Sequence, residues 1–420
     1  MNTSKKVGHI LFLTYDGLTD PLGQSQILPY LNGLAEKGWR FWVLSFEKNR
    51  DFKETPLHEN INWKPLRYHK SPPVLSTLYD IFRLRKKAQK IVQNNNIKLV
   101  HCRSYITSLI GLELKRRYGV KFIFDMRGFW ADERVEGGLW NLRNPIFKLI
   151  FKFFKKKENE FIRESDCIIS LTEAGKKELL VNSKFEIQNS GYGDKITVIP
   201  TCVDTLLFDP SKISEDDKIN LRESLGIKKE DYVLMYVGSL GTWYLLEEMI
   251  AFFNQLKVVK SDSRFILLTN TKDLKLKDER IIVTHTERDE VPLYLAICDA
   301  TICFIRPTFS KKASSATKIG ESFAMGKPVI VNSGWGDVDR IFKDPGIGWI
   351  IKGFESSAVK SDIEKILKTH WDQYYIRDKE IQKFALSTGV NTYHSLYKSI
   401  MEESKQEHST KSFKLVKVDG

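Results

Sequence analysis

Long apolar runs are missing from this chain: none reaches the ~20 residues that a membrane-spanning helix needs, so no spanning segment is expected. Cysteine is scarce. The five residues Cys102, Cys167, Cys202, Cys298 and Cys303 are scattered without Cys-x-x-Cys spacing, which speaks against a metal site and predicts buried thiols in a reducing cytosol. The Gly-bearing loop 15–23 lacks the Gly-x-Gly-x-x-Gly fingerprint, which argues against a dinucleotide dehydrogenase. The opening segment 1–6 is polar and runs straight into an apolar stretch without a small-residue cleavage site, so a secretory signal is not expected. Acidic residues are outnumbered, 53 against 66 Lys and Arg, and the resulting net charge of +13 asks for anionic partners: nucleotide phosphates, an acidic membrane surface or nucleic acid. The lysines are spread and no nucleic-acid module is recognisable, so no nucleic-acid partner is expected.

What is present is enough apolar material for large cores. With 420 residues, 42% of them hydrophobic and 12% aromatic, the chain has room for two or three folded domains. Apolar strand-like runs at 9–14, 41–45, 98–102, 120–125, 167–171 and 196–199 alternate with helical stretches at 24–37, 76–95, 105–118, 145–164 and after Thr172. This is the order of a parallel sheet with helices on both faces. A polar segment, 204–231, reads as a linker between a first domain over 1–203 and a second over 232–385. The second repeats the alternation, with strands at 232–237, 265–269, 281–284, 300–305, 328–331 and 348–351. A helical stretch at 391–401 follows, and the residues from 403 to 420 read as a polar tail. Ligands of such sheets bind beyond the carboxyl ends of the strands.

The stretch Ser314-Ser315-Ala316-Thr317-Lys318-Ile319-Gly320-Glu321 stands out in the second domain. A helix opening after Ser315 and Thr317 would point free N–H groups, hydroxyls and the Lys318 ammonium toward one place suited to a phosphate. Glu321, three positions on, shares that helical face and offers an acceptor-only carboxylate to sugar hydroxyls. The same pattern also suits a solvated helix cap with a surface ion pair. In the first domain, an apolar strand ends directly in Asp125-Met126-Arg127-Gly128-Phe129-Trp130-Ala131-Asp132-Glu133, an unusual density of polar groups for plain packing.

Thr317 to Ile330, with its Glu, small-residue turn and Pro-Val-Ile strand, resembles the donor-binding helix of retaining glycosyltransferases with the GT-B fold, glycosyltransferase family 4 in particular. The likeness runs from about His9 to about Ile400. It implies two facing Rossmann-like domains with an inter-domain cleft, and a C-terminal helix, 386–402, crossing back to the N-terminal domain. It further implies sugar transfer from a nucleoside diphosphate to an acceptor hydroxyl with retention, the donor phosphate taking the acceptor proton, and no metal or other cofactor. The donor would be held by Gly23, Gly238, Ser239, Arg306, Thr317, Lys318 and Glu321. Asp125, Arg127 and Glu321 would stand at the reacting centre, and Gln24, Trp130 and Asp132 on the acceptor side. The chain would be cytoplasmic, or peripheral on the inner membrane face, and would serve cell-surface polysaccharide or glycolipid synthesis.

Several positions depart from the family pattern. Asp125 stands where many members carry a His, so it either positions the acceptor hydroxyl or pairs with Arg127. The turn Tyr236-Val237-Gly238-Ser239-Leu240-Gly241 lacks the usual basic residues, leaving Lys318 and Arg306 as substitutes, and the first of the family's two glutamates falls on Ala313. Gly23 reads equally as a phosphate approach point and as a simple turn. His285 and Glu287 lie where the family holds the nucleotide base, though His285 reads better as a surface residue. Asp337-Val338-Asp339 spells a metal-binding Asp-x-Asp in a Gly-flanked loop and is read as chance. Residues 145–157 form an amphipathic helix with Lys148, Lys152, Lys155 and Lys156 on one arc; an anionic membrane surface and ordinary packing on the sheet suit it equally. A sugar-nucleotide epimerase and a catalytically inactive GT-B partner are the rival readings.

Overall fold

The computed structural model describes residues 9–48, 57–182, 195–271, 274 and 276–415; the opening segment 1–6 and the tail residues 416–420 lie outside them. The chain divides into two compact units. The first takes in residues 1–171, 175–199 and 386–420, and the second takes in 172–174 and 200–385.

In the first unit the elements run β1 (His9–Thr14), α1 (Pro21–Gln26), α2 (Leu28–Glu36), β2 (Arg40–Leu44), β3 (Phe46–Glu47), β4 (Ile61–Trp63), β5 (Leu66–Arg67), α3 (Leu75–Asn94), β6 (Ile97–Arg103), α4 (Ser104–Tyr118), β7 (Lys121–Asp125), α5 (Trp130–Glu136), α6 (Pro145–Glu164), β8 (Cys167–Ser170), α7 (Glu173–Asn182) and β9 (Ile196–Val198). Seven of the strands form a sheet in the order β4-β2-β1-β6-β7-β8-β9, and β3 pairs β5 apart from it. All these pairings are parallel. Helices cover both faces, so β1 buries Ile10, Leu11, Phe12 and Leu13 without alternation, which is why its sequence is a continuous apolar run. Strand order reverses between β1 and β6, which places a ligand crevice at their carboxyl ends.

The second unit contains α8 (Glu215–Ser224), β10 (Tyr232–Val237), α9 (Leu246–Val259), β11 (Ser263–Leu268), β12 (Ile281–Thr284), α10 (Val291–Ile297), β13 (Ala300–Cys303), α11 (Thr317–Ala324), β14 (Val329–Asn332), α12 (Val338–Ile341), β15 (Gly348–Ile351), α13 (Ser356–Lys368) and α14 (Gln373–Phe384). Its six parallel strands lie in the order β12-β11-β10-β13-β14-β15, with the reversal between β10 and β13. Alternate residues of β10 feed opposite cores. Val233 and Met235 pack with Ile319 and Phe323 on one face, while Leu234 and Tyr236 pack with Phe252 and Phe265 on the other.

Two expectations about the chain's division need correcting. The segment 204–231 is no linker: Phe208 and Ile227 are buried in the second unit's core, Ser214 caps α8, and Arg222 donates to the carbonyls of Ile297, Lys228 and Asp231. Its polar composition hid two apolar anchors spaced too far apart to look periodic. The final helix, α15 (Leu386–Leu415), starts at the expected residue but continues beyond 402 into the stretch read as a loose tail. It belongs to the first unit. There Gly33 of α2 allows the close approach, since a Cβ at that position would stand 2.9 Å from a Val390 methyl. Trp39 Nε1 donates to His394 Nδ1 at 2.9 Å, and Tyr397 is fully buried.

Candidate functional site

In the second unit the polar groups gather at the β10/β13 switch point. β10 ends in Gly238, whose φ of +124° lies in the region that favours glycine, and a Cβ there would come within 3.0 Å of the Lys318 ammonium. Lys318 sits on the first turn of α11 and reaches back over this turn. Its Nζ donates to the Tyr236 hydroxyl at 2.8 Å and lies 3.7 Å from the Tyr244 ring centroid and 4.2 Å from that of Tyr236. Two aromatic faces thus hold the cation. The Tyr236 phenol, pushed up by burial and by neighbouring Tyr244, stays protonated and donates to the Ser239 carbonyl at 2.6 Å. Lys311, buried just before α11, brings a second ammonium 4.0 Å from the Trp243 ring centroid.

Glu321 lies one turn after Lys318 and is buried, with its carboxylate 3.0 Å from Arg288 Nη1. Arg288 is half-exposed and stacks over Phe208. A buried carboxylate needs such a partner, because desolvation of an unpaired charge costs several kcal/mol. Two parts of the expected cradle are arranged otherwise. The Ser315 hydroxyl is bound to Thr201, 2.9 Å from its Oγ1, and the N-cap residue of α11 is Ala316, which has no side-chain oxygen. Ser239 contributes its carbonyl to the turn, and Arg306 points an exposed side chain outward while its N–H donates to the Trp243 carbonyl. Thr317 is half-buried as the first residue of α11, and Ala313 is fully buried.

In the first unit a polar cluster occupies the carboxyl ends of β6 and β7. Asp125, 1% exposed, is ringed by His101 (Nε2 at 3.4 Å), Arg103 (Nη1 at 3.9 Å) and Arg127 (Nη1 at 3.9 Å). Arg103 also faces Asp16, at the end of β1, at 3.6 Å. Burial works to raise the Asp125 pKa, but Arg127, His101 and Arg103 outweigh it, and the carboxyl is held below its usual range. His101 shifts down, because burial of its ring outweighs the pull of Asp125. A cavity of about 20 Å³, room for a single water, is lined by His101, Arg103, Asp125 and Arg127. Among the described residues neither Arg103 Nε nor Asp125 Oδ1 has a hydrogen-bond partner. Arg127 takes a left-handed backbone with φ of +57°, a conformation costing a non-glycine residue about 1–3 kcal/mol.

The remaining acceptor-side candidates are not brought to this cluster. Trp130 stacks on Tyr105 and meets Trp140 and Phe154 edge-on, so its ring is used in packing α5 on α6. Asp132 accepts from Lys155 of α6 at 2.8 Å, and Lys155 also pairs with Glu158. Gly23 lies inside α1 rather than in the loop before it, and a Cβ there would fall 1.9 Å from the Gly17 carbonyl, so its missing side chain serves a backbone crossing. Gln24 is exposed on α1, and His285 and Glu287 are exposed after β12. Asp337 accepts the N–H groups of Glu173 and Ala174, which belong to the second unit, and Asp339 accepts that of Gly334. The sequence reading missed His101, Arg103, Arg288, Lys311 and Tyr244. The only local signal was the polar His-Cys-Arg that ends the otherwise apolar strand β6.

Two Rossmann-like units of this kind fit the two-domain GT-B fold. Residues 26–206 match the family described as Glycosyltransferase Family 4, and residues 217–383 match that described as Glycosyl transferases group 1. The chain belongs to the GT4-type GT-B glycosyltransferases. No curated protein matches it significantly in sequence. Solved structures share the fold at low identity. A glycosyltransferase from Rickettsia africae ESF-5 is 17% identical with a TM-score of 0.67, covering 94% of this chain and 98% of that one. The sucrose-phosphate synthase of Thermosynechococcus elongatus is 13% identical with a TM-score of 0.68, covering 94% and 100%. Anabaena HepE, solved in complex with UDP and glucose, is 15% identical with a TM-score of 0.59, covering 96% and 99%.

Proposed function

We propose that this glycosyltransferase moves a sugar from a nucleoside diphosphate to an acceptor hydroxyl, with retention at the anomeric carbon. The observation that carries the donor part is the Lys318 ammonium, held by Tyr236 and Tyr244 against the Gly238 turn, with the buried Glu321 carboxylate one helical turn on. A diphosphate would take the ammonium, and Glu321, oriented by Arg288, would accept from ribose hydroxyls. Asp125 and Arg127 would serve the acceptor from the first unit, with the donor phosphate taking the acceptor proton. Anabaena HepE, crystallised with UDP and glucose, makes UDP-glucose the first donor to test.

The reading is of a metal-free reaction, supported by the engagement of Asp337 and Asp339 with backbone N–H groups. It also places the chain in the cytoplasm, peripheral to the inner membrane face through 145–157, in cell-surface polysaccharide or glycolipid synthesis. Titration calorimetry with a panel of nucleoside-diphosphate sugars tests the donor site. Binding that is lost in Lys318→Met and weakened in Glu321→Ala supports it; equal binding by both variants sinks it. Mass analysis of the product, with and without EDTA, then separates transfer from epimerisation and tests metal independence.

A further inference from the structure

The first unit carries apolar side chains in the open at the beginnings of two helices that flank α4. α6 is buried only from Phe154 onward, through Phe154, Glu158, Phe161 and Ile162; from Pro145 to Phe153 no residue is buried. Leu149 is 70% exposed, with Ile146 and Phe153 also in the open. The outward arc of the same turns carries Lys148, Lys152 and Lys156, none of which has a carboxylate partner among the described residues. α3 also exposes large apolar side chains along its first half. Its inward face buries Ser76, Asp80, Leu84, Ala88 and Ile91, while on the first half Leu75, Leu78 (56% exposed), Tyr79 and Phe82 stand outside, with Lys86 over the Phe82 ring and Arg83 over that of Tyr79. An open groove of about 480 Å³ between the two helices is lined by Ile81, Leu112 and Phe153, with Arg85, Arg116 and Lys157 among its other walls.

Leu75, Leu78, Tyr79, Phe82, Ile146, Leu149 and Phe153 are all exposed on these two helix beginnings, and large apolar groups gathered in this way mark an interaction surface. As crossover helices of one parallel sheet, α3 and α6 run in the same direction, so their exposed halves lie toward the carboxyl edge of the strands, the edge that holds Asp125 and Arg127. Exposed leucines and phenylalanines beside unpaired lysines match the chemistry of an anionic lipid interface, where apolar groups enter the acyl boundary and ammonium groups meet phosphates.

We propose that the N-terminal halves of α3 and α6 form a single docking face for an anionic bilayer. This deepens the membrane part of the proposed function and rests on it. It adds α3, which the amphipathic pattern of α6 alone does not supply. The face sets the acceptor edge of the first unit against lipid headgroups, and so fits a lipid-linked acceptor rather than a free sugar.

The test is sedimentation of the full chain with phosphatidylcholine vesicles, with and without phosphatidylglycerol, which needs neither donor nor acceptor. The wild type is expected to pellet with the anionic vesicles, to be released by salt, and to stay in solution with phosphatidylcholine alone. Leu149→Glu and Leu78→Glu, at exposed positions, are each expected to weaken binding by about tenfold or more while melting like the wild type. Lys148→Glu with Lys152→Glu should do the same through charge. A Leu78→Glu variant that binds like the wild type overturns the two-helix face and leaves the α6 contact standing. Absence of wild-type binding to anionic vesicles overturns both, and so does equal binding to the neutral ones. Vesicle-free self-association that Leu78→Glu abolishes would mean that a second copy, not lipid, covers the face. None of these outcomes bears on donor binding by Lys318 and Glu321.

Discussion

His101 and Tyr397 share a 2.6 Å hydrogen bond, between ring Nδ1 and phenol oxygen, although 296 residues separate them. Both are buried. Through this bond the last helix of the chain fixes the ring whose other nitrogen faces Asp125.

Removing the phenol oxygen leaves that buried ring nitrogen without a partner, so Tyr397→Phe is expected to cost about 1–3 kcal/mol of stability. Tyr397→Ala adds a cavity where a fully buried ring stood, for a total of about 3–5 kcal/mol. Urea denaturation of the full chain measures both. Equal costs for the two variants would show that the hydrogen bond, and not the ring, matters.

Stability should fall as the pH drops below about 6.5, the ordinary histidine value. His101 is held below that value in the folded chain, so in this window the unfolded chain takes up a proton that the folded one refuses, and unfolding gains. Half-buried His394 acts in the same sense, through burial, Lys398 and Lys37. The lowered Asp125 pKa acts elsewhere: its contribution is complete above about pH 4 and is lost only as the pH falls further. Melting curves at neutral and mildly acidic pH should therefore converge in His101→Gln, in part, and more fully when His394→Gln is added.

Gly238→Ala is expected to destabilise the second unit by about 1–3 kcal/mol, because alanine is strained at a φ of +124°. The new methyl also presses on the Lys318 ammonium, 3.0 Å away, and should displace it from the tyrosine faces. Differential scanning calorimetry reads the first effect and nucleotide binding the second. A loss of binding as large as that of Lys318→Met would tie the turn to the cation.

The Glu321–Arg288 pair should respond unevenly to mutation. Arg288→Met strands a buried carboxylate, at a cost of about 3–5 kcal/mol. Glu321→Gln leaves a half-exposed guanidinium that can turn to water, and should cost less. Denaturation of the two single variants and the double variant checks the order, and the reverse order would mean that the carboxylate is better hydrated than its burial implies.

The site was legible in the sequence only where chemistry and chain order coincide. Lys318 and Glu321 could be read together because one helical turn separates them, and Asp125 and Arg127 because a strand ends on them. Arg288 could not be assigned to Glu321, since a loop 33 residues away has no periodic relation to a helix. Trp130 and Asp132 misled for the opposite reason. They are chemically suited to a sugar and adjacent to Asp125, yet the α5 turn directs one into an aromatic cluster and the other onto Lys155.

Local physics in the chain by itself determined the alternation of buried parallel strands and helices, the glycine turn after β10 and the helix that carries Lys318, because backbone sterics and apolar periodicity act over a few residues. Tertiary structure alone decided that the stretch 204–231 joins a core, that Tyr397 of α15 meets His101, and that Asp125 is buried among two arginines and a histidine. Those outcomes depend on which distant surfaces meet, and the free energy of such meetings is set by complementary packing and desolvation rather than by any local pattern.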